Sequence, residues 1–235
     1  MNVSLSLILP CYNPSSEWLN RIEKNIPLLN SSIQNFELIL VNDGSTKGLD
    51  KEAVKLLQQK YRFVTFINYF ENKGKGFALR EGVKSAKGEL VIYTDVDFPY
   101  THDGFLKIYT ALVEGNDVAV GIRSKNYYTH LPAARINISK ILRWFIKSFL
   151  RIPTDDTQCG LKGFNQKGKE VFLQTKINRY LFDLEFIFLA AKNKMKIKTV
   201  EVELRPEVQL SKMNWKILLT EFGNFLRVFF SQLFS

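Results

Sequence analysis

The strongest constraint on this chain is the regular alternation of short apolar runs with helical segments over its first 125 residues. Val3–Leu9, Phe36–Asn42, Phe63–Tyr69, Glu89–Thr94 and Asp117–Ile122 read as short buried strands. Helical segments fit between them, near 15–29, 49–61, 75–87 and 102–114. This spacing predicts an α/β fold, a mostly parallel sheet with helices on both faces. Such sheets bind ligands beyond the carboxyl ends of their strands, near a switch in strand order. The polar clusters stand at those ends: Tyr12-Asn13, Asn42-Asp43-Gly44-Ser45 and Asp95-Val96-Asp97.

The second half is less regular. A helix is expected over about 133–151, then a loop carrying Asp155-Asp156-Thr157-Gln158-Cys159-Gly160. A helix over Leu181–Lys194, a strand over Ile197–Leu204 and a last helix near 214–234 follow. A chain of 235 residues suits one such domain with a terminal appendage. The excess of 33 Lys and Arg over 23 Asp and Glu, a net +10, attracts phosphates, nucleic acid or anionic lipid without choosing among them. The lysines are spread along the chain and no familiar nucleic-acid-binding motif appears, so a nucleic-acid partner is not expected. Two cysteines, Cys11 and Cys159, make no disulfide framework and fit a reducing compartment. The N-terminus lacks the charged start of a signal peptide. No uncharged apolar run reaches the roughly 18 residues of a spanning helix.

Asp95 and Asp97 follow the apolar run Leu90–Thr94. Side chains two apart in an extended chain point the same way, so both carboxylates could face one divalent cation and the diphosphate it bridges. Taken alone, the pair reads equally well as a capped strand end. Asn42-Asp43-Gly44-Ser45 could receive a base or ribose, although Asp-Gly by itself favours a plain turn. Asn72-Lys73-Gly74-Lys75-Gly76 precedes a helix, where glycines and the helix N-terminus suit a phosphate. Its spacing is not that of a Walker A loop, and a basic turn is the alternative.

Six segments in order carry more than any one of them: Pro10-x-Tyr12-Asn13, Val41-Asn42-Asp43-Gly44-Ser45, Asn72–Gly76, the Asp95/Asp97 pair, Gly121-Ile122-Arg123 and Asp156-Thr157-Gln158-Cys159-Gly160-Leu161-Lys162. Together they resemble a family 2 glycosyltransferase with a GT-A fold, and within it the dolichyl- or polyprenyl-phosphate hexose synthases. The Asp-Thr-Gln-Cys-Gly block, with Asp183-Leu184-Glu185 downstream, is most similar to dolichyl-phosphate glucosyl- and mannosyltransferases. The resemblance implies a GT-A domain over 1–205 and a membrane-contacting helix over 206–235. It implies a donor site of Pro10, Tyr12, Asn42, Asp43, Lys75 and Asp95 for a UDP- or GDP-hexose. Asp95 and Asp97 would hold Mg²⁺ or Mn²⁺. Arg123, with Arg135 and Ser139 in an Arg-x-x-x-Ser pattern, would meet the phosphate of a polyprenyl acceptor. Asp156, Gln158 and Arg123 would form the catalytic group. The chain departs from the family at three places: Asn42 stands where Asp is usual, Pro14 where Glu is usual, and Pro99 where some mannose enzymes carry Gln. The last favours a glucose-type or other hexose enzyme.

A phosphate acceptor, with a second pKa of roughly 6, is largely dianionic at neutral pH and needs little help from a base. Asp156 is therefore assigned to orientation or assistance rather than obligatory proton removal, and the arginines to offsetting repulsion between two phosphate-bearing substrates. Lys140, Arg143, Lys147 and Arg151 form a basic stripe beside Trp144, Phe145 and Phe149, and the last helix is apolar around most of its circumference. Both suit a peripheral position at the cytoplasmic face of a membrane. The alternative is that they pack on the core or on a second copy in a homo-oligomer. The other readings open at this point are transfer to a sugar hydroxyl of a polysaccharide or glycolipid, and a nucleic-acid-binding module.

Overall fold

The computed structural model describes residues 4–124, 154, 156–179 and 181–208. The helices expected over 133–151 and 214–234, the basic stripe, Arg135 and Ser139 lie outside the described residues. The elements run β1 (Leu5–Cys11), α1 (Trp18–Ser32), β2 (Phe36–Asp43), α2 (Lys51–Lys60), β3 (Val64–Tyr69), α3 (Lys75–Ser85), β4 (Leu90–Tyr93), α4 (His102–Val113), β5 (Val118–Arg123), β6 (Lys162–Phe164), α5 (Gln166–Phe172), α6 (Phe182–Lys192) and β7 (Ile197–Val202).

They build one seven-stranded sheet in the order β3-β2-β1-β4-β6-β5-β7. The α/β architecture is the one expected. β1 to β4 pair in parallel, as do β5 and β7, while β6 runs antiparallel between β4 and β5. Period-two alternation sends Ile8, Ile39 and Val41 to one face, against Ala78, Leu79 and Val83 of α3 and Phe172 and Phe186 of α5 and α6. Leu7, Leu9, Leu38 and Leu40 face the other way, onto Trp18 and Ile22 of α1, Leu57 of α2 and Ile108 of α4. Because both faces are covered, the central strands read as nearly unbroken apolar runs.

From β1 the chain builds outward through β2 and β3, then returns to place β4 on the other side of β1. The switch point therefore lies between β1 and β4. Pro10 widens it. Pairing of β1 with β4 ends at Ile8↔Tyr93, and Thr94 N–H donates to the Ile8 carbonyl at 3.2 Å. Pro10, two residues on, presents its donor-less nitrogen to the same side, just where the ladder stops. The strand expected to end before Pro10 instead continues through Cys11, held by β2 through Pro10↔Val41 and Cys11↔Asn42. β6 and α5 were not foreseen. β6 is three residues long and carries a lysine and a glycine, neither a strand signal. Gly163 is required there, since a Cβ would stand 2.7 Å from Leu112 and 2.8 Å from Ile92.

Candidate active site

Asp95 and Asp97 lie at the carboxyl end of β4, beside the switch point, but not on an extended strand. The strand stops at Tyr93, and the chain turns through Val96 and Asp97 into Phe98 at φ 47°. Phe98 N–H donates to the Asp95 carbonyl at 2.9 Å. Arg205 closes the turn, donating from Nε to the Phe98 carbonyl at 2.6 Å and from Nη2 to the Asp97 carbonyl at 2.8 Å. The simple same-side argument for the two carboxylates is thus replaced by a pinned turn. The two groups still feel each other: burial raises the Asp97 carboxyl above its ordinary value, and the Asp95 charge raises it further.

Lys75, the first residue of α3, forms an ion pair with Asp95. Burial alone would lower its pKa, but the charges of Asp95, Asp183 and Asp97 outweigh burial and raise it, so the ammonium stays charged. The loop before it is set by Asp43. That carboxylate accepts from Tyr69 Oη (2.8 Å), Asn72 Nδ2 (2.9 Å), Lys73 N (2.8 Å) and Gly74 N (2.9 Å). With these donors its acceptor capacity is filled. The sequence assigned Asp43 to a donor site; in the structure it fastens the Asn72–Gly74 loop. Gly74 takes φ 101°, and a Cβ there would stand 2.4 Å from the Asn178 carbonyl oxygen.

Asn42 is buried at the end of β2. Its Nδ2 donates to Asn68 Oδ1 at 2.7 Å and its Oδ1 accepts from Ser45 N at 3.0 Å. Asn13 Oδ1 accepts from Thr46 N and Lys47 N at 2.9 and 3.1 Å, which ties the ends of β1 and β2 together. Tyr12, beside that tie, is 52% exposed, and Pro10 is buried beneath it.

Arg123 ends β5 and grips Asp156. Its backbone N–H and Nε donate to Oδ2 at 2.8 and 3.0 Å, and Nη2 donates to Oδ1 at 2.5 Å. Burial would raise the Asp156 carboxyl, but the guanidinium and the backbone N–H outweigh it and hold it below its usual value. A carboxylate so held is a poor proton acceptor. Beyond it, Thr157 Oγ1 and Gln158 Nε2 are buried side-chain atoms with no hydrogen-bond partner. Gly160 then brings the loop against the acidic turn. A Cβ on it would lie 2.8 Å from Asp95 Oδ2 and 3.6 Å from Lys75 Nζ. The structure thus draws together Lys75, Asp95 and the Gly160 backbone, with the Arg123–Asp156 pair at the start of the same short loop.

Three groups around this site have tasks that the sequence did not reveal. Tyr100 Oη accepts from Gly160 N–H at 2.8 Å. Arg205 follows the last described strand with no local signal of its task. Lys162 and Tyr93 meet Asp183 in the buried interior: Lys162 Nζ lies 2.8 Å from Asp183 Oδ1, to which Tyr93 Oη also donates. Lys162 and Asp183 both stand in the segments that carry the family resemblance, but nothing in the sequence assigned either a task. Among the described residues no three His, Cys, Asp or Glu side chains converge on a metal position. The available donor set is Asp95 and Asp97, hard oxygens that suit a cation keeping several waters and substrate phosphates.

Residues 6–176 match Glycosyl transferase family 2. The chain belongs to that family. Among curated relatives of this family member, dolichyl-phosphate beta-glucosyltransferases are prominent. The one from Dictyostelium discoideum is 27% identical over 216 residues, covering 86% of this chain and 66% of the relative. The one from Saccharomyces cerevisiae is 25% identical over 232 residues, covering 90% and 69%. The chain therefore spans about two thirds of their length. Solved structures share the fold at low identity. Glucosyl-3-phosphoglycerate synthase from Mycobacterium tuberculosis, in complex with Mn²⁺, UDP-glucose and phosphoglyceric acid, superposes with a TM-score of 0.63 at 13% identity, covering 92% of this chain and 74% of that one. The same synthase is also solved with Mg²⁺ and UDP, at a TM-score of 0.60 and 16% identity, with 92% and 74% coverage.

Proposed function

We propose that this glycosyltransferase moves one hexose, glucose by likeness to its relatives, from a nucleoside diphosphate sugar to a polyprenyl phosphate with inversion at the anomeric carbon. The observation that carries the reading is the clustering of Asp95, Lys75 and Gly160 at the β1–β4 switch point, with Arg123–Asp156 at the head of the same loop. Tyr12 and Asn42 would border the base and ribose, with Asp43 and buried Pro10 shaping that wall. Asp95 and Asp97 would hold Mg²⁺ or Mn²⁺, the ions named for the solved relative. Such an ion neutralises charge on the departing diphosphate. Lys75 adds a fixed positive charge on the same side, which costs no reorganisation during reaction.

In the transfer, an acceptor phosphate oxygen bonds to the anomeric carbon as the bond from that carbon to the donor diphosphate breaks. The electron pair leaves with the nucleoside diphosphate. No proton need move, because the acceptor oxygen is already anionic. This suits Asp156, which Arg123 keeps ionised and occupied. Arg123, and by the family pattern Arg135 and Ser139, would receive the acceptor phosphate. Transfer to a sugar hydroxyl would call for a base, and the described site offers none so placed. Asp156 orients Arg123, and the Gln158 amide is directed to substrate hydroxyls.

We also propose that residues 1–205 form the catalytic unit and 206–235 a segment that lies on a membrane surface, on its cytoplasmic face, as a lipid-linked acceptor requires. No helix among the described residues is long and apolar enough to cross a membrane. Full-length protein should float with anionic liposomes and lose this when residues 213–235 are removed; protein that stays in the soluble fraction contradicts the surface assignment. For the activity itself, radiolabelled UDP- and GDP-hexoses are incubated with Mg²⁺ or Mn²⁺ and short polyprenyl phosphates. Organic-extractable label is the expected result. Label confined to water-soluble glycan would instead establish the hydroxyl acceptor.

A further inference from the structure

The sheet contains a complete charge pair that is almost wholly out of solvent. Lys162, in the middle of the sheet on β6, is 0% exposed. Its ammonium pairs with Asp183 at 2.8 Å and also donates to the carbonyl oxygen of Cys159. Tyr93 Oη, one strand away on β4, donates to the same Asp183 oxygen as the lysine contacts. Burying both charges is costly, and apolar side chains of similar volume often hold a fold equally well. Stability therefore gives no sufficient reason for the pair.

Its position does. The Cys159 carbonyl immediately precedes Gly160, the residue whose missing Cβ lets the loop stand against Asp95 and Lys75. A second clamp acts on the other end of the same peptide unit, where Gly160 N–H donates to Tyr100 Oη. Lys162 thus holds the carbonyl of the Cys159–Gly160 peptide, and Tyr100 holds the N–H of that same peptide. Upstream in the same loop are Asp156, bound by Arg123, and Gln158, with its unpartnered amide nitrogen. The field of the pair also reaches the site. Burial lowers the Lys75 pKa, but Asp95 and then Asp183 raise it, and Lys162 adds to Arg123 in lowering that of Asp156.

We propose that Lys162 is a positioning residue. Its ammonium, paired with Asp183, fixes the Cys159–Gly160 peptide and so sets the separation of the Asp156–Gln158 segment from Asp95 and Lys75. The effect on turnover rests on the glycosyltransferase reading above; the effect on the loop does not. Lys162 touches no substrate. Its role is to make the loop a rigid wall, because misplacement by about 1 Å costs on the order of a hundredfold in rate.

The test compares full-length wild type with two variants. Lys162→Met leaves Asp183 buried and unpaired, and its melting temperature falls. Tyr93→Phe/Lys162→Met/Asp183→Leu removes the whole polar group together, which restores most of that loss because no charge is left unpaired. Hydrogen exchange at the Gly160 amide and turnover are then read in the triple variant. The expected result is recovered melting temperature, faster Gly160 exchange, turnover lowered about ten- to a hundredfold, and Mn²⁺–UDP affinity close to wild type. Recovery of melting temperature with wild-type Gly160 protection would overturn the proposal, whatever the sugar chemistry. If the triple variant does not fold, wild type alone decides. Gly160 protection near that of the central β1 amides supports the clamp, and exchange through frequent local opening refutes it. A wild type without any transfer activity, but with the exchange pattern intact, would sink the functional reading and leave the clamp standing.

Discussion

Replacing Asp156 with asparagine keeps its shape and removes its charge. In the structure Asp156 is 4% exposed and takes three hydrogen bonds from Arg123, at 2.5, 2.8 and 3.0 Å. The asparagine amide can keep one acceptor oxygen, but its NH₂ must confront a guanidinium N–H. Breaking a buried pair costs about 3–5 kcal/mol. The lower end applies, because the Arg123 side chain retains 17% exposure and water can reach it. For a chain of this size about 3 kcal/mol lowers the melting temperature by about 6–12 °C. Linkage adds a pH signature. The folded Asp156 pKa lies below its unfolded value of roughly 3.9. In the window between the two, the unfolded state binds more protons, so this group's contribution is full above about pH 5 and shrinks as pH falls. Calorimetry of wild type and Asp156→Asn at pH 7, 5 and 3.5 should therefore show a gap that closes on acidification. Below saturation turnover should fall by about a hundredfold, since Arg123 loses its orientation, while donor affinity changes less than about threefold, since the proposed diphosphate contacts are Asp95, Asp97 and Lys75 rather than Asp156. Equal melting temperatures at pH 7, or equal turnover, would refute the reasoning.

Further expectations are more local. Gly74→Ala must hold φ 101° with a Cβ 2.4 Å from the Asn178 carbonyl oxygen, so it should lose at least about 1–3 kcal/mol; denaturant unfolding with an unchanged midpoint would contradict this. Asp95→Asn should weaken UDP binding in the presence of Mn²⁺ by about tenfold or more, measured calorimetrically, because one of two hard-oxygen ligands loses its charge; undiminished affinity would remove Asp95 from the metal site. Burial pushes the Cys11 thiol up to about 12, with a Ser45 hydrogen bond acting weakly against it, and burial also raises Cys159. Neither thiol should react with a disulfide reagent at pH 8 until denaturant is added, and rapid labelling of native protein would show that the β1 end or the 156–160 loop opens readily.

The sheet of the first half was legible because both its faces are covered. Leu7–Leu9, Leu38–Val41 and Val91–Tyr93 are buried apolar runs, and the helices between them carry a regular stripe. The Asp95 and Asp97 positions were equally visible, since a polar pair directly after a buried strand has few places to go. The geometry of that pair was not. Its turn depends on Arg205, more than a hundred residues away, whose guanidinium reads two backbone carbonyls. Asp43 was visible as a site residue, but its donors come from Tyr69 and the Asn72–Gly74 loop, a tertiary contact without a sequence period. β6 was hidden because Lys162 looks like a surface residue until Asp183 arrives from a later helix. The family resemblance supplied what local pattern could not, the grouping of Arg123 with Asp156.

The claim that the acceptor is a phosphate, requiring a metal-assisted leaving group but no protein base, can be tested with one matched pair of substrates. A short polyprenyl phosphate and the corresponding free polyprenol are offered with labelled UDP-glucose and Mn²⁺, with and without EDTA. Label should enter the phosphate alone, and EDTA should abolish it. Equal labelling of the alcohol, or transfer that survives EDTA, would contradict the account.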